Sequence, residues 1–483
     1  MQENLEIMNQ EVILYLLPIK KAILNYLRGR VILILPFFCF STLVVAQQHP
    51  TNGVVISDFE YAKIEKRFYA VRGGERVLPQ SHSLKAYAPK PLNQFNYPTS
   101  PAWATSYAAL TIIETQQTNR TGRSITENAF SPLFPYYYST NKDIINNCEN
   151  PVSIAQVLEA MKTYGTPRYT EYPVRCVTRS PESKKTKASK NKISEYARLF
   201  DIEESEVSKI KEIKTTLVEN LPVVIAMHID KSFSYAKDFW QPREAFNINL
   251  PTQALCVVGY DDTKYGGAFE VMNSMGAEWG NDGFMWIPYK SFITYTRHAY
   301  SLYMIPPKNS INQLSGGIEL EIVNGNQMEL LQTKPGYYKI NKSYPSGTLF
   351  KIKVINHSTG FLYVFASDLT NDIFELFPPN LTSAAFSEEA SFYVPDDNTP
   401  IQIDETIGTD YLCVLFSKED IDLPALLNTI KSTSGTFEEK VINSISDKSV
   451  PNSQIYYKLN EADFFVKESD KTIVALIIEH EHH

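Results

Sequence analysis

The spacing of apolar residues changes from a helical to a strand-like pattern along the first part of this chain. Residues 103–116 (WATSYAALTIIETQ) are rich in Ala, Leu and Ile and lack Gly and Pro, which predicts a helix. Residues 153–164 predict a second helix, with Ser153 as its N-cap and Gly165 as its stop. Residues 254–260 and 268–272 are short apolar or alternating runs, which predict antiparallel strands. Helices followed by strands indicate an α+β fold.

Further segments extend this pattern. Residues 203–220 predict an amphipathic helix that leads into a strand at 222–229. Residues 284–287 follow the turn Asn281-Asp282-Gly283 and predict another strand of the same sheet.

Short strand patterns dominate the chain beyond a polar, Pro-rich junction at Pro306-Pro307. Turn residues separate these strands, which predicts an all-β domain of the sandwich type. The strand segments are 318–323, 349–356, 360–366, 373–377, 391–394 and 411–417. From residue 432 onward the strand signal weakens.

A chain of 483 residues is too long for one compact core, so we expect several domains. The predicted divisions are a signal peptide at 1–46, a leader or linker at 47–77, an α+β domain at 78–306, a linker with first strands at 307–336, a β-sandwich accessory domain at 337–425 and a C-terminal extension at 426–483.

The N-terminal segment has the features of a secretory signal. Four basic residues between 20 and 30 precede the apolar run 31–46, which ends in Val44-Val45-Ala46. The run is short for a bilayer span, so a retained anchor is the less favoured alternative. We therefore expect a secreted, periplasmic or cell-surface protein that touches the membrane only through this segment, if the segment is uncleaved.

Composition excludes some classes of partner. The formal net charge of -8 argues against a nucleic-acid ligand. Cysteine and histidine residues show no zinc-ligand spacing, so we expect neither a metal nor another cofactor. Cys148 and Cys176 flank one helical segment and could pair, whereas Cys256 lies in an apolar strand and favours a buried free thiol.

Residues 78–110 carry the first half of a candidate site. They resemble the start of bacterial papain-like cysteine peptidase domains, in which an Asn-Gln pair precedes a glycine-rich turn and a catalytic cysteine at a helix start. Gln94 matches the glutamine that donates to the oxyanion, and Ser100 stands at the cysteine position. A rival alignment on Trp103 would place Ala102 there instead, but it needs an insertion. Either alignment removes the thiol.

Residues 252–262 and 268–289 carry the second half of the site. They resemble the family's strand that begins with the catalytic histidine and the segment that carries the asparagine orienting it. Gln253 stands at the histidine position and Asn273 at the asparagine position. Met275 replaces the tryptophan that shields the Asn–His pair in the family. The resemblance covers about half of the chain, residues 78–306, and implies a papain-like α+β fold.

Residues from about 337 to 422 resemble a bacterial β-domain of unknown function that occurs beside peptidase-like domains. The matching motifs are Gly360-Phe361-Leu362-Tyr363-Val364 and Leu376-Phe377-Pro378-Pro379-Asn380. This resemblance supplies no catalytic residue and implies an accessory or interaction module.

The replacements weaken the case for catalysis. A Ser100 hydroxyl needs a base, and the Gln253 amide cannot take a proton usefully. His228 and His298 are weak candidates for a displaced base. The leading hypothesis is an exported pseudopeptidase that binds a peptide or protein ligand in its cleft without cleavage.

Two alternatives stay open. One is an active hydrolase of the same fold that uses Ser100 as its nucleophile. The other is a structural or assembly protein with an unused cleft, which a cleft blocked by Phe95, Tyr97 or the leader would favour.

Overall fold

A computed structural model describes one compact unit, Gln48–His483, over most of its length. The described residues are 53–68, 77–140, 148–173, 176, 181–304, 314–368, 372–388, 391–396, 399–458 and 461–483. The predicted signal peptide, the first residues of the leader and the junction at 307 lie outside the described residues.

Helices dominate the first part of the described chain, as the sequence predicts. The helix that contains residues 103–116 begins at Ser100 and has a π-helical middle. Ser153 forms a capping box with Gln156, and Gly165 follows the helix with a φ of 72°, which confirms the predicted start and stop. The helices are α1 Asp58–Ala62, α2 Ser100–Ala102, a π-helix Trp103–Leu110, α3 Thr111–Thr118, α4 Arg123–Glu127, α5 Leu133–Ser139, α6 Ile154–Tyr164, α7 Lys185–Ala188, α8 Glu206–Val218 and α9 Tyr289–Tyr295.

An antiparallel sheet packs against these helices. Its strand order is β2-β7-β3-β4-β5-β6, and β1 pairs with β4 at one end. The strand β3 (VVIAMH) is buried along its whole length, which fits an apolar run in the centre of a sheet. The strands are β1 Ser81–Ser83, β2 Glu195–Arg198, β3 Val223–His228, β4 Thr252–Asp261, β5 Ala268–Met272, β6 Phe284–Pro288 and β7 Thr296–Tyr303.

Short 3₁₀ turns and one disulfide complete this domain. Cys148 and Cys176 are joined as a disulfide, with their Cα atoms 5.6 Å apart. Cys256 in β4 is a buried free thiol, and burial raises its pKa. The 3₁₀ helices of the described chain are Lys85–Tyr87, Glu182–Lys184, Lys231–Tyr235, Lys264–Gly266 and Asn452–Gln454.

The C-terminal part forms two further sheets that share one apolar core. One sheet has the order β10-β11-β21-β18-β13-β14 with β15 beside β13, and the other has the order β16-β12-β8-β20-β19 with β17 and β9 at its edges. The strands are β8 Ser315–Ile322, β9 Gln327–Met328, β10 Leu330–Lys334, β11 Tyr337–Ile340, β12 Leu349–Asn356, β13 Gly360–Ser367, β14 Ile373–Phe377, β15 Ala385–Phe386, β16 Ser391–Val394, β17 Ile401–Gln402, β18 Gly408–Ser417, β19 Ile455–Tyr457, β20 Ala462–Val466 and β21 Ile473–His482.

These strands confirm the predicted fold class, an α+β domain followed by a β-rich region. The two C-terminal sheets include strands from the predicted linker (307–336) and from the predicted C-terminal extension (426–483). The strand β21 lies inside its sheet, where it pairs with both β11 and β18. Two helices, α10 Leu423–Ser432 and α11 Phe437–Ser444, lie between β18 and β19 in the chain. Among the described residues, no helix has the length and apolar character needed to cross a membrane.

Candidate active site

Ser100 lies at the start of α2, the position that the sequence assigns to the lost cysteine. Pro101 suits the first turn of a helix because it has no N–H to leave unpaired. The Ser100 side chain is fully buried, and its Oγ donates to the Gly53 carbonyl at 3.0 Å and accepts from the Ala254 N–H at 3.2 Å. Both partners are backbone groups, so neither can take a proton from the hydroxyl.

Gln253 lies near the start of β4, at the position of the family's histidine. Its Nε2 donates to Asn273 Oδ1 at 2.9 Å and approaches Gln94 Oε1 at 3.5 Å. Asn273 Oδ1 also accepts the N–H of Ser274 at 2.8 Å. The structure therefore brings the predicted residues Gln253, Asn273 and Gln94 together in one buried network of amides.

The side-chain amide of Gln94 is engaged in hydrogen bonds within the protein. Its Nε2 donates to the Tyr97 carbonyl at 2.7 Å, and its Oε1 accepts from Ser274 Oγ. The turn that replaces the family's glycine-rich segment passes through Phe95, whose φ of 57° is left-handed. Phe95 is 64% exposed, so its side chain points to solvent and does not fill the cleft.

The leader fills the cleft instead. The Gly53 N–H donates to the Thr252 carbonyl at 2.9 Å, and Thr252 Oγ1 donates to the Val54 carbonyl at 2.7 Å. A Cβ atom added at Gly53 would lie 2.9 Å from Gln253 Oε1 and 3.2 Å from Ser100 Oγ. Gly53 therefore occupies the space between the two positions at which the family carries its cysteine and histidine.

The helix α1 continues the leader along the strand β7. Tyr61 is buried, donates its hydroxyl to the Ala299 carbonyl at 3.1 Å and stacks on His298 with ring centroids 4.2 Å apart. Asp58 forms an ion pair with Arg297 and lies 3.0 Å from His298 Nε2. These contacts place a folded helix of the chain beside the cleft.

The leader then passes between the α+β domain and the sandwich. The Lys66 N–H donates to the Leu381 carbonyl at 2.7 Å, and the Arg67 N–H donates to the Arg198 carbonyl at 2.8 Å. The buried Arg67 guanidinium pairs with Glu219 and donates to Tyr303 Oη at 2.9 Å.

Phe68, the next residue, packs edge-on against Phe377, a core residue of the sandwich. The leader is thus bound to both domains.

Both candidate rescue histidines are engaged elsewhere. His228 Nδ1 lies 3.2 Å from the Leu250 carbonyl, and burial lowers its pKa. Burial lowers the pKa of His298 to about 4, although the neighbouring Asp58 carboxylate acts in the opposite direction. Neither imidazole makes a hydrogen bond to Ser100 in the described structure.

The sequence did not identify Gly53 and α1 as parts of this region. A local signal for α1 was present, because Ser57 and Glu60 have the spacing of a capping box and the Ser57 side chain accepts from the Glu60 N–H. No local signal places Gly53 beside Ser100. Ala102, the rival candidate for the nucleophile position, is buried in the helix, whereas Ser100 makes the contacts with Gly53 and Ala254.

Comparison with known proteins agrees with this architecture. The family model "Papain family cysteine protease" matches residues 137–301, a range that contains Gln253 and Asn273 but not Gln94 or Ser100. An uncharacterized peptidase C1-like protein of Acanthamoeba polyphaga mimivirus is 27% identical over 206 residues, which cover 40% of this chain and 61% of the viral protein. This chain therefore spans less than two thirds of the length of that relative.

Two solved structures are similar to this chain. Xylellain, a cysteine protease from Xylella fastidiosa, is 19% identical, with a TM-score of 0.43 and coverage of 54% of this chain and 100% of xylellain. Digestive procathepsin L2 proteinase from the Tenebrio molitor larval midgut is 16% identical, with a TM-score of 0.44 and coverage of 60% of this chain and 90% of that protein.

The fold and the family match together indicate the class of this protein. It has a papain-like α+β fold with an additional β-sheet-rich region, and the family match supports a papain-family (C1) peptidase domain.

Proposed function

We propose that this chain is a non-catalytic papain-like protein, a pseudopeptidase, whose cleft is occupied by its own leader and which acts by binding a partner. The observation that carries the proposal is the position of Gly53 between Ser100 and Gln253. A substrate carbonyl would need the space that the Gly53 backbone fills.

The chemistry of the site supports the absence of catalysis. An acyl-transfer nucleophile needs a base within hydrogen-bond reach and an oriented oxyanion donor. Ser100 has two backbone partners, Gln253 cannot serve as a base, and the Gln94 amide donates to Tyr97. The Ser100 hydroxyl and the Gln94 amide therefore both serve as hydrogen-bonding groups within the fold.

Peptide turnover tests this part of the proposal. We expect the purified chain to leave a mixed peptide library uncut and to give no more fluorophosphonate labelling than its Ser100→Ala variant. Cleavage or labelling that Ser100→Ala abolishes would instead establish the alternative, a hydrolase with Ser100 as nucleophile.

Thiol accessibility tests the occupied cleft separately. In a Cys39→Ser background four cysteines are left. Cys148 and Cys176 form a disulfide, and the other two are buried thiols, so we expect low background labelling. We expect a Ser100→Cys variant to react slowly with iodoacetamide in the native state, and an exposed Ser189→Cys control to react quickly. Equal rates for the two variants would show that the leader leaves the cleft open.

A groove beside the leader offers a place for the partner. It has a volume of about 940 Å³ and is lined by α1, by α6 and by residues that include Glu65, Glu195 and Asp420. Partial burial, together with the neighbouring Glu195 and Asp420 carboxylates, raises the pKa of Glu65 to about 7, while Lys162 pairs with Glu195. An excess of carboxylates favours a cationic ligand, so we propose a peptide or protein segment with basic side chains.

Fluorescence anisotropy with labelled peptides tests the groove. We expect an Arg- or Lys-containing peptide to bind more tightly than its neutral analogue, and Glu65→Gln to reduce that preference. Lys353→Gln, a change in the sandwich far along the chain, serves as a control. A preference that Glu65→Gln leaves unchanged would exclude this groove as the binding site.

The remaining elements of the proposal concern location and the accessory domain. The basic flank and apolar run before residue 47 support export to the periplasm, the cell surface or the medium. The two sheets of the sandwich would supply a second contact surface. The leader in the cleft also supports the alternative, a structural protein that no longer uses its cleft.

A further inference from the structure

Three side chains with metal-ligating atoms converge at one end of the sandwich. They are Asp404, which follows β17, Asp410 in β18 and His482 in β21, and one ligand atom from each lies within 4.8 Å of the others. His482 Nε2 is 3.2 Å from Asp410 Oδ2 and 3.9 Å from Asp404 Oδ1. One imidazole nitrogen therefore faces two carboxylates.

The sheet topology creates this cluster from distant parts of the chain. The strands β18 and β21 are antiparallel, and their register pairs Gly408 with His482 and Asp410 with His480. This register places His482 beside the start of β18, where Asp404 approaches from the preceding segment. Because His482 is far from the two aspartates in sequence, no metal-binding spacing is visible there.

Two polar atoms of the cluster, one on His482 and one on Asp410, are buried and lack a hydrogen-bond partner among the described residues. The His482 side chain has 0% exposure, and its Nε2 makes no hydrogen bond within the described part of the chain. Asp410 Oδ1 is also buried without a hydrogen-bond partner there. Buried polar atoms normally have partners, because leaving one unpaired is costly.

His480 provides a second, independent sign of a binding site. It is 8% exposed, and its Nε2 has no hydrogen-bond partner among the described residues. Its ring is nearly parallel to that of His482, with centroids 5.7 Å apart. Together with Asp404 and Asp410 it lines a largely apolar cavity of about 300 Å³. An unpartnered imidazole thus faces the same cavity as the two carboxylates.

We propose that Asp404, Asp410 and His482 bind a divalent first-row transition-metal ion of the Zn²⁺ type. One imidazole nitrogen and two carboxylate oxygens are a donor set that zinc accepts, whereas Ca²⁺ and Mg²⁺ prefer oxygen ligands alone.

The second nitrogen of His482 also fits this role, because its Nδ1 lies 3.2 Å from Ser346 Oγ. Such an outer partner holds a ligating imidazole in its tautomer and orientation. A zinc ion with three protein ligands can keep a fourth position open, and Asp404 and Asp410 also line the cavity. The ion would also cross-link β21 to the segment before β18.

Zinc titration of the full chain, without a histidine tag and after treatment with EDTA, tests the proposal. We expect calorimetry to show one equivalent of Zn²⁺ bound, no comparable binding of Ca²⁺, and a rise in melting temperature with Zn²⁺. Asp404→Asn and His482→Gln each remove a ligand, so the Zn²⁺ affinity is expected to fall by more than about 100-fold, and Ser346→Ala by roughly 10-fold.

Two controls separate this site from adventitious binding. The Asp404 side chain is 45% exposed, so Asp404→Asn tests the site even if His482→Gln fails to fold. His357→Gln alters another His–Asp pair, 3.6 Å from Asp463 in the other sheet, and is expected to leave Zn²⁺ binding unchanged. Absence of Zn²⁺ binding, or binding that survives Asp404→Asn and Asp410→Asn and depends on the histidines alone, would overturn the proposal.

Discussion

The two ends of the leader segment 53–68 contact the rest of the molecule in different ways. At the cleft end, Gly53 and Val54 are held by hydrogen bonds to Thr252, each contributing about 1 kcal/mol net. At the far end, the buried Arg67 guanidinium pairs with the buried Glu219 carboxylate. Removing one partner of such a pair typically costs about 3–5 kcal/mol. The leader is therefore fixed most firmly away from the cleft.

This difference bears on what the leader is. A segment anchored between two domains is part of the folded structure and does not depend on the cleft for its position. Its cleft end is held by hydrogen bonds to Thr252 and Ser100 and by the buried Val54 side chain, whereas the far end adds a buried ion pair. We therefore expect a ligand or a substitution to displace the cleft end more easily. Substitutions at the far end of the leader should therefore cost more stability than substitutions at the cleft.

Arg67→Ala is expected to have the largest effect. It leaves Glu219 buried without its cation, so the free energy of unfolding should fall by about 3–5 kcal/mol in urea denaturation. Lys63→Ala, which breaks the exposed ion pair with Glu60, should change it by less than about 1 kcal/mol. Similar effects of the two variants would contradict a firm anchor at Arg67.

His298, which stacks on Tyr61 of α1, should make the attachment of the leader sensitive to acid. Burial lowers its pKa to about 4, whereas the unfolded chain has a pKa near 6.5. Between these values the unfolded state binds more protons, so stability falls as the pH decreases. The loss should be about 2 kcal/mol between pH 7 and pH 5.

Asp58, Arg297 and His228 act electrostatically on this imidazole, and the rings of Tyr61 and Tyr300 pack against it. Burial raises the pKa of Asp58, but the hydrogen bonds from Arg297 and His298 outweigh it and lower that pKa. Protonation of Asp58 therefore destabilises the fold further at still lower pH. Urea denaturation at the two pH values checks the prediction. His298→Gln cannot be protonated and should flatten the dependence; an unchanged slope would assign the acid sensitivity to other groups.

Gly53→Ala tests the cleft end. The added Cβ would lie 2.7 Å from the Thr252 carbonyl oxygen, so the leader must shift or strain its neighbours. We expect a loss of about 1–2 kcal/mol in stability and faster iodoacetamide labelling of the Ser100→Cys variant when the two changes are combined. Val55→Ala, at a residue that is 39% exposed, serves as the control and should change neither quantity appreciably.

Much of the fold could be predicted from local patterns, because its elements have clear periodicity and caps. Ser153 and Gly165 marked the ends of α6, and the strands β5, β12 and β14 have the predicted bounds. The strand β21 was missed because its apolar run 473–478 is followed by alternating Glu and His residues. The strand β21 pairs with β11 on one side and with β18 on the other, and these long-range partners cannot be read from the local sequence.

The candidate site could be predicted only as a set of positions. Family spacing located Gln94, Ser100, Gln253 and Asn273, and the structure places the three amides in one network. The contact of Gly53 with Ser100 joins residues 47 positions apart, and its contact with Thr252 bridges a still longer separation. Such contacts depend on the path of the folded chain. The sequence therefore predicts an occupied cleft only as one alternative, beside a cleft that binds a ligand.

Ser100→Ala should have the smallest effect of the series and separates a structural from a catalytic serine. The change leaves the Gly53 carbonyl and the Ala254 N–H without their hydroxyl partner, so stability should fall by about 1 kcal/mol. Ser100→Thr keeps the hydroxyl and serves as the matched variant, although its extra methyl group must fit a fully buried position.

Urea denaturation together with peptide turnover measures both roles at once. A hydroxyl that serves the fold should alter the free energy of unfolding and leave turnover at background, because both of its partners are backbone groups. Loss of turnover at unchanged stability would reverse that assignment, and would mean that the cleft end of the leader moves aside far enough for a substrate to reach Ser100.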